Sequence, residues 1–575
     1  MAAQYDLVIR GGTIADGNGG APFDADIAIS AGRIARIGQI AGGGREEIAA
    51  KGQLVTPGFV DIHTHYDGQA TWDAQLAPSS WHGVTTAVMG NCGVGFAPVR
   101  ADHHDRLIEL MEGVEDIPGA ALHEGLDWSW ESFGGYLDAL DRRPHDIDFC
   151  AQLPHGALRV YVMGDRGARL EAATEQDIAE MRRLAADAMR AGAIGFSTSR
   201  TLNHRTAKGD PTPSLRATEA ELTGIALGLK DAGTGVIELI SDFDTPDLDT
   251  EFAMIRRIVT ASGRPLSLSL AQRHREPQGY RQILGLIESA AGDGMPIKGQ
   301  VAPRPIGLLL GLQTSQNPFV FHPSFQAIAH EPLARKLEIM RDPGFRARLL
   351  AEAPIPKMAK RARMLMGFER MFRLGARPEY EPSRDVSVAA LAHGAGVEPV
   401  EKAYHLLLED EGRSFLFTPF ANYADFNLDA CRDMMDSPHT IMGLGDGGAH
   451  VGLISDASYP TYLLSQWGRD RAHGRFDLGW LVKRQTADTA RAVGLLDRGV
   501  LAPGMKADLN IIDFDRLRVE PPVISPMGLP MSLSMVLGAV LFAMGLVLWV
   551  TLGVANRRRP GALYAPLPWS PAANS

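Results

Sequence analysis

Cysteine is scarce. Three in 575 residues, at positions 92, 150 and 431, are too few and too scattered for a disulfide framework, and this usage fits a reducing compartment. A cysteine with a task here is therefore expected to be catalytic or metal-bound, and the others simply buried. Long blocks of like charge are also missing. Lys and Arg number 57 against 68 Asp and Glu, a net charge of -11 spread along the chain, so nothing advertises a nucleic-acid surface. The N terminus has no basic stretch followed by an apolar one, so no secretory signal is expected. No repeat recurs at a fixed period and no low-complexity tract interrupts the chain. What is present is ordinary globular composition, 45% hydrophobic and 22% charged with 62 Gly and 36 Pro. That excludes a collagen-like, coiled-coil or wholly disordered chain and leaves small-molecule chemistry as the default.

Residues 5–55 read as short strands separated by turns: Tyr5 to Arg10, Asp26 to Ser30 and Ile34 to Ile37, with Gly11-Gly12 and Ala31-Gly32-Arg33 between them. From Val55 the pattern changes. Short apolar runs (54–62, 84–89, 193–197, 235–240, 265–270 and 440–444) alternate with helix-like stretches such as 175–191 and 219–232. Strand followed by helix, repeated, predicts an α/β fold with a parallel sheet or barrel, whose chemistry sits just after each apolar run. Residues at about 320–385, basic in places (Lys357, Lys360, Arg361, Arg363), read as a helical insertion, a solvated excursion or lid.

Three strand ends carry residues that suit a metal site. In Pro57-Gly58-Phe59-Val60-Asp61-Ile62-His63-Thr64-His65, His63 and His65 are i and i+2 on a strand and share a face, so both imidazoles can reach one divalent ion. Seventeen histidines give about 0.5 such pairs by chance, so the weight lies in the position after an apolar strand. The run 83–90 ends in Asn91-Cys92-Gly93, where flanking glycines let other groups approach a thiolate able to ligate zinc. Cys150 and Cys431 lack such flanks and read as structural. In Ile441-Met442-Gly443-Leu444-Gly445-Asp446-Gly447-Gly448-Ala449-His450, Asp446 follows a strand among glycines, suited to taking a proton from water and passing it to a leaving amine.

In order, these motifs, together with Asp6 to Gly12, His155-Gly156-Ala157-Leu158-Arg159, Gly192 to Ser197 and Gly504-Met505-Lys506-Ala507-Asp508-Leu509, resemble the amidohydrolase superfamily and within it the N-acyl-D-amino-acid deacylases, over roughly residues 5–520. The resemblance implies a (β/α)8 TIM-type barrel (56–500) and a small β domain built from both chain ends (1–55 and an incomplete return at 501–525). It also implies zinc-dependent hydrolysis of linear amides in a small-molecule substrate; the scarce cysteines and the lack of a secretory signal make a cytoplasmic catalytic domain the expectation. His63 and His65 become metal ligands, Cys92 the thiolate this branch uses where many relatives have a carboxylated lysine, and Asp446 a metal-associated acid/base. In the deacylases the fifth and sixth strands each end in a zinc-binding histidine. Here those runs read Val236 to Asp242 and Leu268 to His274, with Glu238, Asp242, Gln272 and His274 as the available alternatives, so one zinc is expected and a second site is not supported. Arg200, Arg273 and Arg275 are candidates by position for the substrate carboxylate. Two other readings stay open: hydrolysis of a cyclic, hydantoin-like amide, which in relatives uses a bridging lysine carboxylate, and a ligand-binding barrel without turnover.

Between Glu520 and Arg557 the chain carries no charge, and 531–554 is long and apolar enough for a transmembrane helix, followed by Arg557-Arg558-Arg559 in the tail 555–575. A C-terminal hydrophobic helix with membrane contact through 531–554 is the expectation, although a cytoplasmic enzyme so anchored breaks the positive-inside rule. A tail foreign to the enzyme is the alternative.

Overall fold

The structure is a computed structural model that describes residues 4–243, 247–454 and 456–523. The expected helix 531–554 and tail 555–575 lie outside the described residues. Among the described residues, no helix is long and apolar enough to cross a membrane.

The first five strands, β1 (Tyr5–Ile14), β2 (Phe23–Ser30), β3 (Arg33–Gly38), β4 (Gly44–Ala49) and β5 (Leu54–Pro57), form a mixed sheet, antiparallel through β1-β2-β3 and parallel where β1 meets β4 and β5. Strand β1 bulges between Ile9 and Gly12, which lets it pair with β4 along its first half and β5 along its second. The chain returns to this sheet at its far end. Met505 accepts from the Ile34 amide, and a late strand, Leu509–Ile512, pairs antiparallel with β5.

Eight parallel strands follow, in sheet order matching the chain: β6 (Phe59–Asp61), β7 (Val84–Met89), β8 (Asp148–Pro154), β9 (Gly195–Arg200), β10 (Val236–Ser241), β11 (Leu266–Ser269), β12 (Ile297–Val301) and, after an excursion holding β13 (Ile306–Leu310), β14 (Phe372–Leu374) and β15 (Phe415–Ala421), β16 (Thr440–Met442). Strand β17 is the late strand Leu509–Ile512. The sheet closes without a full ladder between β16 and β6. The seam is stitched just beyond the strands, where Thr64 bridges Gly447, the His65 amide donates to Gly447 O (2.7 Å) and the Asp446 amide to His63 O (3.0 Å). The predicted metal motif thus completes the barrel.

Helices between the strands cover it outside. Glu175–Ala191 shows why they form where they do: Thr174 and Asp177 make a reciprocal capping box and Gly192 ends the helix at φ 118°. At the N-terminal mouth, Ala490, Val493 and Leu495 plug the barrel against Val60, Val88, Cys150, Ile194, Val236 and Ile441. The Lys506-Ala507-Asp508 motif secures the same end: Lys506 bonds Asp508 (2.8 Å), both it and Arg498 reach Asp148, and Arg498 also bonds Thr86. Cys150 and Cys431 are buried packing residues, as expected.

Between β12 and β16 the chain builds a separate layer. Strands β13 (Ile306–Leu310), β14 (Phe372–Leu374) and β15 (Phe415–Ala421) form an antiparallel sheet in the order β13-β15-β14. Helices including Leu333–Arg341, Pro343–Ala351 and Pro399–Leu407 pack on it around Leu310, Phe319, Phe345, Tyr404 and Leu416, a hydrophobic core distinct from that of the barrel. The helical stretch at 320–385 lies within this layer.

Candidate metal centre

Parallel strands present their last residues at one end, and the site is assembled there from β6, β7, β10 and β16. His63 and His65 lie just past β6, both 1% exposed. Cys92 follows β7 in a turn through left-handed backbone, Gly90 at φ 80°, Cys92 at 55° and Gly93 at 70°. Gly90 has no substitute, because a Cβ there would sit 2.3 Å from Gln152 O. The loop after β16 holds three non-glycine residues at positive φ, Leu444, Asp446 and His450. Such backbone costs about 1–3 kcal/mol per residue and concentrates where side chains must be aimed.

The aim is convergent. One ligand atom each from His63, His65 and Cys92 lie within 4.8 Å of one another. Cys92 Sγ and Asp446 Oδ1 are each 3.4 Å from His63 Nε2, and Asp446 Oδ1 is 3.6 Å from His65 Nε2. His63 Nδ1 is held by Gln300 Oε1 at 2.8 Å, and Gln300 Nε2 donates to Ser267 Oγ at 2.8 Å. That arrangement puts the ring proton on Nδ1 and turns the Nε2 lone pair toward Cys92 and Asp446. Glu238, buried on β10, accepts from the Cys92 amide at 3.0 Å.

Three residues that the sequence did not single out join the cluster. Glu115, buried at the C-terminal end of helix His104–Glu115, places Oε2 3.4 Å from His65 Nε2 and 3.6 Å from His450 Nε2. His204, on the loop after β9, bonds Ser199 Oγ through Nδ1 (2.9 Å) and feels the charges of His450, His65, Asp446 and His63. Gln300 is the third.

The electrostatics describe a site built for a cation. Burial pushes the Glu238 carboxyl up to about 7 and lifts Glu115 and the Cys92 thiol well above their usual ranges, with neighbouring carboxylates adding to both. Burial also lowers His65 to about 4 and His204 to about 3. Asp446 goes the other way: burial would raise it, but the close His65 ring and the His63, His65 and His450 charges outweigh that and hold it well below the usual carboxylate range. Both ring nitrogens of His65, Oε1 of Glu115 and Oε1 of Glu238 are buried without hydrogen-bond partners. Buried acids, a thiol and the unpartnered His65 imidazole around one point fit a divalent metal, whose charge compensates the acids and the thiol together. Zinc suits this nitrogen and sulfur donor set.

Other candidates lie elsewhere. The Gln272 side chain is spent on the excursion, Nε2 donating to Asp425 (2.8 Å) and Oε1 accepting from the Ala424 amide (2.9 Å). His274, lowered to about 4 by burial and then by the Arg370 charge, faces Arg370 and Asp425 of that layer rather than the cluster. Asp242 binds the Thr201 hydroxyl and the Leu202 amide. Arg200 is not aimed at a ligand either: it forks onto Glu251, itself 1% exposed, and donates to Ala217 O. Arg273 donates to Asp242 O and Glu276. Gln272, Asp242, Arg200 and Arg273, each placed after a strand, thus turn sideways to a local partner.

The sequence pattern of the Amidohydrolase family matches residues 46–541. D-aminoacylase of Alcaligenes xylosoxydans xylosoxydans is 34% identical over 293 residues, which cover 50% of this chain and 55% of that protein, so the match spans about half the relative's length. An uncharacterized protein of Mycobacterium bovis is 27% identical over 545 residues, covering 88% of this chain and 84% of its own. Among solved structures, the N-acyl-D-glutamate deacylase of Bordetella bronchiseptica, complexed with zinc and a phosphonate inhibitor, superposes with a TM-score of 0.59 at 23% identity, covering 91% of this chain and 93% of that one, a likeness of fold.

Proposed function

Because this chain belongs to the amidohydrolase family, we propose that it hydrolyses linear amide bonds, with N-acylated D-amino acids as substrates and one zinc ion as cofactor. The observation that carries the reading is the buried convergence of His63, His65 and Cys92 on one point with Asp446 Oδ1 against both imidazoles. The D configuration and the zinc follow the named relatives, a D-aminoacylase and a zinc-complexed N-acyl-D-glutamate deacylase.

His63, His65 and Cys92 would hold the metal, with Asp446 beside it. When bound, zinc supplies Lewis acidity, polarising the amide carbonyl and making an attacking water more acidic. The protein's own groups do the rest. Asp446, kept ionised by the surrounding histidines, accepts the proton of the attacking water and delivers it to the departing amine nitrogen. Gln300 fixes the His63 tautomer, Glu238 braces the turn that carries Cys92, and Glu115 sits between His65 and His450 and orients both rings.

Glu238 is the carboxylate nearest in role to a missing fifth-strand histidine, while the sixth strand places no metal-ligating side chain at the cluster, which favours one tight zinc over two. A panel of N-acetyl-D- and N-acetyl-L-amino acids, assayed with added zinc for free amine, tests the proposal. Turnover confined to D substrates and abolished by a chelator is expected. Turnover of L substrates alone, or of neither series, contradicts it.

A further inference from the structure

The opposite end of the barrel holds a second polar site. A cavity of about 370 Å³ opens beside the N-terminal plug, under the starts of β10, β11 and β12. That is within the size range of small-molecule sites. Its walls bring together Lys298, Lys483, Arg484 and Arg491 against two carboxylates, Asp436 and Asp488. The carboxylates are already engaged: Asp488 is shared by Arg484 (3.3 Å) and Lys483 (3.9 Å), and Asp436 lies 3.8 Å from Arg432. Positive charge therefore remains uncompensated in a chain whose net charge is -11.

Two of the cations have donors to spare. The Arg484 side chain is 5% exposed, and its Nε is buried without a hydrogen-bond partner. The Lys298 ammonium, half-buried, has no hydrogen-bond or ion-pair partner among the described residues. Arg484 is otherwise held by Asp488, Met435 O and Thr440, so the unpaired half-buried Lys298 ammonium is the charge that an anion would stabilise most. Apart from Ser267 and Ser437, the rest of the wall is apolar. Trp480, stacked on Phe476 at 4.1 Å, lines the cavity with Ile441 and Val236, and Arg484 lies over its ring at 5.3 Å.

We propose that this cavity binds a small oxyanion, a carboxylate or phosphate group on a compact apolar body, with Lys298, Arg484 and Arg491 holding the anion and Trp480 the body. The site is distinct from the metal centre but joined to it. Lys298 and Gln300 are two residues apart on β12 and share a face, about 7 Å along the strand. Ser267, which lines the cavity, is also the hydroxyl that accepts from Gln300.

The test is calorimetric titration of the zinc-loaded full chain with inorganic phosphate and, separately, with benzoate. The expected result is saturable one-to-one binding of at least one probe, weakened tenfold or more by Lys298→Met. Absence of saturable binding of both probes at millimolar concentration overturns the proposal, as does equal binding by a folded Lys298→Met protein, which would locate the anion at the metal centre. If Lys298→Met loses its native circular dichroism, Arg491→Ala, an exposed helical position, takes its place. Weakened binding then supports the site and unchanged binding overturns it.

Discussion

Gln300 offers the sharpest test of how the metal cluster is organised, because it touches no reacting group and acts only through His63. Replacing it by leucine removes the acceptor for His63 Nδ1–H (2.8 Å) and the donor to Ser267 Oγ (2.8 Å) at a residue 2% exposed. The imidazole then loses the contact that fixes its tautomer and ring angle. Losing such a partner lowers metal affinity by about 10–100-fold, or about 1.4–2.7 kcal/mol. A buried donor left without an acceptor adds about 1–3 kcal/mol of fold destabilisation, present with or without metal. The assay is a zinc titration against a chromogenic chelator, paired with thermal melts of the metal-free proteins to separate the two effects. Gln300→Glu keeps an acceptor toward His63 and should recover most of the zinc affinity. A Gln300→Leu protein that binds zinc as tightly as wild type and turns over at the same rate would refute the argument.

The other predictions concern different parts of the molecule. Cys92→Ala removes a direct donor and should cost more zinc affinity than Gln300→Leu, above about 100-fold in the same titration. Arg200→Met should leave KM unchanged while lowering stability by about 3–5 kcal/mol in denaturant melts, because it breaks a pair with the buried Glu251 instead of a substrate contact. The buried His155–Glu221–Arg159 group sets an acid limit. Burial holds His155 below its ordinary value, and the His155 and Arg159 contacts hold Glu221 below its own despite burial. For both groups the unfolded chain binds more protons than the folded one. Stability is therefore full above about pH 6.5 and falls as pH drops below it, first through His155 and, below about 4.5, through Glu221. Glu221→Gln removes the charge that partly supports a protonated His155, so the melting temperature should fall more steeply with pH just below about 6.5, while the Glu221 contribution below about 4.5 disappears.

The barrel was legible where its strands are apolar and obscure where they are not. The runs ending at 62, 89, 197, 240, 270 and 444 stand out because those strands turn aliphatic side chains into the core. Strands β8 and β12 did not, since Gln152, Lys298 and Gln300 break the apolar pattern. The same polar residues that serve the barrel interior thus hide the strands that carry them. His63, His65, Cys92 and Asp446 could be read because each follows a strand and is flanked by residues that permit an unusual turn. Glu115 and His204 carry no such sign: one is a glutamate in a charged helix, the other a histidine in a long loop, and only the fold brings them to the cluster. Gln272, His274, Arg200 and Arg273 show the converse. Each follows a strand, but residues 421–425, Glu251 and Glu276 capture the polar groups of Gln272, Arg200 and Arg273, and His274 is buried beside Arg370 and Asp425.

The central claim, that Asp446 moves the proton in a zinc-dependent hydrolysis, is tested most directly by the rate of N-acetyl-D-amino-acid cleavage by zinc-loaded Asp446→Asn. With zinc content matched to wild type, kcat should fall by about 10²–10⁴-fold. A fully zinc-loaded Asp446→Asn protein that retains the wild-type kcat would contradict the account.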